Sequence, residues 1–394
     1  MNHCLRSGFT TGTCAAVAAK AAAVLLITGE KEDYIELMTP GGKKASMKIL
    51  EHRMEKGRAG CCVEKDSGDD PDVTHQSRIW AWVQLQPAVA GGEKQENLSG
   101  RERWYASEKY SFLYLTGGGG IGLVTRPGLS CPVGKHAINP VPRQMIFQSV
   151  AEVCLECGWS RPLLITVEIP GGEMLAAKTF NPRLGISGGL SVLGTSGIVK
   201  PMSQEALLET IRLELHMKAV SGQKRLILTP GNYGEAFVKE QLHLSLEEGI
   251  ICSNFIFDSL MYAAAEGFRE ILLVGHMGKL IKVAGGVKNT HSMYGDRRME
   301  ILAACCKAAG VTDEKLLNVI EGSNTTEEAA KHLEKAGLTE TVMAEVMSRI
   351  QAQAREWTSH QMEIEVVTFS SSYGILGMTK NAGEMAERFL EADR

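Results

Sequence analysis

The chain has 394 residues, with 42 lysines and arginines against 46 aspartates and glutamates, for a formal net charge of −4. An apolar fraction of 44% and a charged fraction of 22% exclude a disordered chain, which needs low hydrophobicity and high charge. The charge balance also excludes a broad nucleic-acid footprint, and no uncharged apolar run reaches the roughly 18–20 residues that span a bilayer.

The length suits two or three domains, and the rhythm of the chain changes near residue 188. A first helix opens after Thr10-Thr11-Gly12-Thr13 and runs through an alanine-rich stretch to about Thr28, where Gly29 stops it. Strands are expected over 34–38, 45–50, 59–64, 78–85 and 111–116. Residues 88–109 are polar and aperiodic and read as a surface insertion. A second helix starts at Asn139, carries Pro140 and Pro142 in its first turn and ends before Gly158. A strand over 163–168 follows. Residues 1–188 thus read as an α+β domain with a mostly antiparallel sheet.

From residue 189 the pattern is strand, glycine turn, helix. A strand over 225–229 leads into Pro230-Gly231-Asn232-Tyr233-Gly234, and one over 250–253 precedes a helix from about Ile256. A third, over 271–274, leads into Gly275-His276-Met277-Gly278-Lys279. A charged helical stretch, 296–358, precedes a last strand over 363–369. This alternation predicts a Rossmann-like α/β domain over 189–394 with a parallel sheet.

Ten cysteines include the adjacent pairs Cys61-Cys62 and Cys305-Cys306, and only Cys154-x-x-Cys157 has metal-like spacing. No second ligand pair stands near it, so the expectation is small buried hydrophobes in a reducing compartment and no protein-bound metal. Residues 1–12 hold no apolar segment of the secretory type, and the expected compartment is the cytoplasm.

Five stretches carry more special residues than folding alone requires. Thr10, Thr11 and Thr13 open a helix, where hydroxyls, amides and the dipole make either an anion site or an ordinary cap. Lys65 to Thr74 holds Asp66, Asp69, Asp70 and Asp72, whose mutual repulsion must be offset by a cation, donors or solvent. That loop is either a polar turn or a cluster that holds a ligand or accepts a proton. Gly117 to Gly122 follows a strand, but Leu123-Val124-Thr125 reads as another strand, so a hairpin is expected rather than a dinucleotide loop. In the stretch 132–143, Arg143 in a first helical turn opposes the dipole unless an anion is bound. The segment 275–298 combines a strand-end glycine loop with Asn289-Thr290-His291-Ser292.

Together these stretches resemble one family. GFTTGTCAAVAAKAA, KDSGDDPDVT, GIGLVTRPGLSCPVGKHAINPVPR, GTSGIVKPMS, TPGNYG, SNF and GHMGKLIKVAGGVKNTHS are similar to the cobalt-precorrin-5B C-1 methyltransferases of the anaerobic cobalamin pathway. The resemblance covers nearly the whole chain. Two features depart from it: the insertion is longer than usual, and Gly119 stands where an acidic residue is common.

The resemblance implies S-adenosylmethionine as methyl donor, a cobalt-bearing, carboxylate-rich tetrapyrrole as acceptor and cobalt-precorrin-6A as product. Cobalt arrives with the substrate. Candidate partners beyond the substrate are neighbouring enzymes of the pathway and a second copy of the chain, with no nucleic acid and no membrane. Donor-binding candidates are Gly231, Asn232, Gly234, Asp258, Gly275 and Gly278 in the second half, with Asp258 equally a helix-start charge. The acceptor is expected between the two halves, on Thr10, Thr11, Thr13, Asp69, Asp72, Lys135, His136, Asn139 and Arg143. His291 or His276 is the expected proton acceptor, with Asp70 and its acidic neighbours as rivals. The basic run Lys43, Lys44, Lys48, Arg53, Lys56 and Arg58 reads as a solvated hairpin face. Glycine loops alone leave a nicotinamide-dependent oxidoreductase as the alternative enzyme, and a non-catalytic tetrapyrrole carrier as the alternative from another class.

Overall fold

Two units, residues 1–204 and 205–394, divide the computed structural model, which describes residues 5–86, 103–245 and 249–392. The boundary falls beyond the expected residue 188 because β1 (Gly8–Phe9) pairs antiparallel with Ile198–Val199, which binds the intervening stretch to the first unit.

The first unit is built on α1 (Thr11–Thr28). Thr10 caps it by accepting the Thr13 N–H at 3.3 Å, and the Gly29 N–H closes it on the Leu25 carbonyl at 3.1 Å. Its alanines let neighbours approach closely, and Ala15 to Ala19 are fully buried. Among the described residues α1 is the one helix long and apolar enough to cross a membrane, and 72% of that window is buried inside the protein.

A hairpin of β2 (Tyr34–Met38) and β3 (Lys44–Lys48) follows. Next come β4 (Glu51–Glu55), β5 (Arg58–Glu64) and β6 (Arg78–Leu85), which form an antiparallel meander. The chain continues through β7 (Tyr105–Ala106), β8 (Leu113–Gly117), β9 (Leu123–Val124), α2 (Pro140–Glu156) and β10 (Leu163–Glu168). The unit ends with α3 (Gly172–Ala176), β11 (Ile186–Ser187) and β12 (Ile198–Val199). Its six-stranded sheet has the order β4-β5-β6-β10-β8-β7, and only the β10–β8 pair is parallel. The α+β reading with a mostly antiparallel sheet therefore describes this unit.

Three details differ from expectation. β4 is an added strand whose charged side chains hide any apolar alternation. β9 pairs with β11 instead of turning back on β8, so the glycine loop makes no hairpin. Residues 88–102 of the expected insertion lie outside the described residues. Its end is not surface loop: Tyr105 is buried in β7, with its hydroxyl donating to the His136 carbonyl at 2.7 Å.

The second unit begins with α4 (Gln204–Val220), whose first residue closes the preceding unit, and then alternates. Its elements are β13 (Arg225–Thr229), α5 (Asn232–Glu240), β14 (Gly249–Ile251), α6 (Ile256–Ala265), β15 (Glu270–His276) and α7 (Met277–Ala284). Helices α8 (Arg298–Ala308), α9 (Glu314–Glu321), α10 (Thr326–Lys335) and α11 (Thr339–Trp357) make up the charged stretch. β16 (Glu363–Ser370), β17 (Gly374–Met378) and α12 (Ala382–Ala392) complete it. The sheet order is β14-β13-β15-β16-β17, parallel except for the edge strand β17. Counted within the unit, this is 2-1-3-4-5, a doubly wound order of the flavodoxin type. Alternate strand residues bury on opposite faces: Ile227, Leu272 and Val274 meet α5 and α12, while Leu226, Leu228 and Leu273 meet α6, α7 and α11.

Candidate functional site

The four parallel strands of the second unit end on one edge of the sheet. The chain turns from β13 toward β14 on one side and returns to β15 on the other. A doubly wound sheet opens a crevice where its strand order reverses, here between the carboxyl ends of β13 and β15.

Three groups meet at that edge. Gly231, between β13 and α5, has φ +110°, a conformation that disfavours side chains, and the nearest atom to a Cβ placed on it would be Lys279 Nζ at 3.3 Å. Lys279, in the first turn of α7, donates from Nζ to the Ser253 carbonyl beyond β14 at 3.2 Å. Burial lowers its pKa. His276, the last residue of β15, caps α7 by accepting the Gly278 N–H at Nδ1, 3.1 Å away, and its Nε2 lies 2.9 Å from Glu327 of α10. Phe369 meets the imidazole edge-on at a centroid distance of 5.5 Å, and the Tyr233 ring lies 6.5 Å away. Beside them, Thr290 bonds Asn254 through both backbone and side chain, and buried Lys282 donates to the Thr290 carbonyl at 3.1 Å.

The structure sorts the expected donor residues. Gly231 borders the crevice, and exposed Asn232 begins α5 next to it. Gly234 and Gly275 serve packing instead. A Cβ on Gly234 would fall 2.9 Å from that of Thr229, and one on Gly275 would fall 2.8 Å from Pro230 Cγ. The Gly278 N–H is already bonded to His276. Asp258 sits in the first turn of α6, past the end of β14, where burial raises its pKa and Lys288 opposes the rise. It is the helix-start charge and not a residue at the strand end.

Of the two histidines, His276 has both ring nitrogens engaged. An amide N–H can only donate, so Nδ1 is the acceptor and Nε2 carries the proton toward Glu327. This leaves no free lone pair for the expected role of base. His291 is exposed and caps a single 3₁₀ turn (Ser292–Tyr294) by accepting the Met293 N–H at 3.1 Å.

In the first unit, the Thr10-Thr11-Gly12-Thr13 corner is occupied by protein. The Gly12 N–H donates to Leu193, the Thr13 N–H to Thr10 Oγ1, and the Thr13 hydroxyl to Gly197 at 2.7 Å. Thr10, Thr11 and Thr13 are buried, so the expected anion site at this helix start is a cap. The acidic loop is likewise partnered internally. Arg6 holds Asp66 through its guanidinium and Asp69 through its N–H. Asp70 accepts the Met202 N–H at 2.8 Å, and Asp72 pairs with buried Lys65 and accepts from Thr74. The cation that the repulsion required is present, as Lys65 and Arg6. These contacts give Asp69, Asp70 and Asp72 partners within the protein.

Arg143 and Lys135 converge on Tyr105, with the guanidinium 4.1 Å and the ammonium 4.8 Å from the ring centroid. Lys135 also donates to the Trp104 carbonyl at 2.6 Å. Among the described residues neither cation pairs with a carboxylate. Arg143 lines a cleft of about 430 Å³ with Tyr105, Lys109, Tyr110, Gln144 and Phe147. His136 is half-buried, and burial, with Arg103, lowers its pKa. Asn139 caps α2 without a side-chain bond to it, because Oδ1 accepts from the Cys131 thiol at 3.5 Å.

The basic run is surface: Lys44, Arg53 and Arg58 pair with Glu36, Glu51 and Glu55, and the two arginines cover Trp80 and Trp82. Of the described cysteines only Cys157 is exposed. Among the described residues no group of three His, Cys, Asp or Glu side chains is placed to hold a metal. Sequence reasoning did not single out Lys279, Glu327 or Tyr105. Lys279 and Glu327 become visible only when distant loops meet, and Tyr105 only when its strand pairs.

The family model for CbiD matches residues 1–201, and that for the CbiD C-terminal domain matches residues 289–380. A Thermoanaerobacter sp. (strain X514) protein named cobalt-precorrin-5B C(1)-methyltransferase is 42% identical, and the match covers 97% of each chain. A protein of the same name from Ruminiclostridium cellulolyticum is 40% identical over 93% of this chain and 89% of its own. The crystal structure of a cobalamin biosynthesis protein from Archaeoglobus fulgidus matches 75% of this chain and 84% of its own, at 24% identity and a TM-score of 0.38.

Proposed function

This chain belongs to the CbiD family, and from that premise we propose that it methylates C-1 of cobalt-precorrin-5B to give cobalt-precorrin-6A in anaerobic cobalamin biosynthesis. The donor is S-adenosylmethionine, held in the strand-end crevice of the second unit, and the enzyme acts in the cytoplasm. The observation that carries the donor assignment is the reversal of strand order between β13 and β15, with Gly231 and Lys279 at the opening. Arg143 and Lys135 of the first unit supply cations for the acceptor's carboxylates.

The donor sulfonium is already activated. Its carbon–sulfur bond breaks as the bond to C-1 forms, and sulfur keeps the electron pair. The protein's task is alignment, which contributes up to roughly 7–11 kcal/mol in favourable cases. Incubating the protein with methyl-labelled S-adenosylmethionine and cobalt-precorrin-5B should put label at C-1. Folded protein that incorporates none would refute the assignment.

A further inference from the structure

Lys279 brings a positive charge to the crevice, and among the described residues no carboxylate pairs with it. Among the described residues Lys279 Nζ has one protein acceptor, the Ser253 carbonyl, and it faces the open side of Gly231. Lys282, three residues on, is buried and donates to the Thr290 and Gly295 carbonyls. The Asp296 carboxylate acts on Lys282 through space, so Lys279 is the cation without a counter-charge among the described residues. Cys252 is the acidic group that bears on the Lys279 ammonium, but burial pushes its thiol up to about 12, so it stays neutral. A buried or half-buried cation without a counter-charge is unfavourable, and a bound anion relieves that cost.

We propose that Lys279 binds the α-carboxylate of the methyl donor, so that the crevice selects a nucleoside bearing an amino-acid tail over the bare nucleoside. This rests on the assignment of the donor to the crevice. Electrostatics also orients the ligand: the ammonium repels the sulfonium and attracts the carboxylate, so the carboxylate end faces Lys279. His276, fixed by Glu327 and Gly278, holds the start of α7 and with it the lysine.

The test compares calorimetric binding of S-adenosylhomocysteine, its methyl ester and 5′-methylthioadenosine to the wild-type chain and to Lys279→Met. In the wild type the free acid should bind about tenfold to a hundredfold more tightly than the ester or the bare nucleoside. Lys279→Met should lose that factor for the acid and bind the bare nucleoside as the wild type does. Equal losses for both ligands, or no loss in a folded variant, would overturn the proposal. If the variant fails to fold, the wild-type comparison of acid and ester decides alone, and equal affinities reject it. A wild type that binds none of the three, or that prefers NADH, refutes the donor assignment itself. Normal acid affinity in Lys279→Met refutes only the role of the lysine.

Discussion

His276 Nε2 and Glu327 Oε1 lie 2.9 Å apart, and this contact, with the Gly278 N–H on Nδ1, holds the imidazole in one neutral tautomer. The pair links the end of β15 to the start of α10, two places far apart in the chain. Its expected role is positioning. His276→Ala and Glu327→Ala should each slow single-turnover methyl transfer, and the double variant should be no slower than the worse single one, as for groups acting as a unit. If His276→Ala abolishes a limb of the wild-type pH–rate profile, the histidine acts as a base instead.

Gly231→Ala should weaken donor binding, and Gly231→Val should weaken it further. The added carbon would meet the Lys279 ammonium at 3.3 Å, on a backbone at φ +110°. Calorimetry with S-adenosylhomocysteine checks this. Unchanged affinity in folded variants would remove the β13 turn from the site.

Arg143→Ala should raise the acceptor KM about tenfold to a hundredfold, the value of one charge-assisted hydrogen bond. Loss of the contact with the Tyr105 ring should lower stability by only about 1 kcal/mol. A normal KM beside a large loss of stability would make this arginine structural.

The acidic loop should govern acid unfolding. Hydrogen bonds from Arg6 hold the Asp66 carboxyl down to about 2 from 3.8. For Asp72, burial pushes the pKa up, but Lys65 and Thr74 outweigh it, and the net shift is downward. A folded-state pKa below the unfolded one gives stability that is present above pH 3.8 and lost as the pH falls toward 2. Asp66→Asn should therefore flatten the acid limb of a stability–pH curve. Asp72→Asn strands Lys65, which is 2% exposed, and should cost about 3 kcal/mol in urea unfolding. Adding Lys65→Met should recover part of that loss.

Neighbouring glycines of the loop after β8 should behave oppositely. A Cβ on Gly120 would lie 1.9 Å from the Ile169 carbonyl oxygen, so Gly120→Ala must displace backbone and should cost about 1–3 kcal/mol. A Cβ on exposed Gly119 meets nothing within 4 Å, so Gly119→Asp should stay within about 0.5 kcal/mol of wild type. Denaturant titration separates the two. If Gly119→Asp also lowers the acceptor KM, the loop after β8 contacts substrate.

What could be read in the sequence followed how local the physics is. α1 and α2 were legible because Thr10, Gly29, Asn139 and Pro140 act within a turn of their own positions. The parallel sheet was legible from alternation, but its 2-1-3-4-5 order depends on pairings between distant strands. β17 escaped notice because GILGM carries two glycines and only exposed or half-exposed side chains. The four aspartates announced a need for cations, yet nothing local named Arg6 as a partner. Lys279 looked like one more charge at a helix start. Its meaning comes from Ser253 and Gly231, brought to it by two other strands.

The cover over the start of α1 has a consequence for biosynthesis. Gly12 and Thr13 are tied down by Leu193 and Gly197, and β1 waits for β12. A nascent chain leaves the ribosome from its amino end, so this apolar helix emerges long before its lid exists. The roughly 170 residues between Thr28 and Val199 take about 10–35 s at typical elongation rates. β5, β6 and α2 cover the apolar length of the helix as each emerges, so by the end of that interval its first turn is what still lacks its partners. A chaperone that binds nascent chains should therefore contact the helix before α2 emerges and release it once α2 has packed.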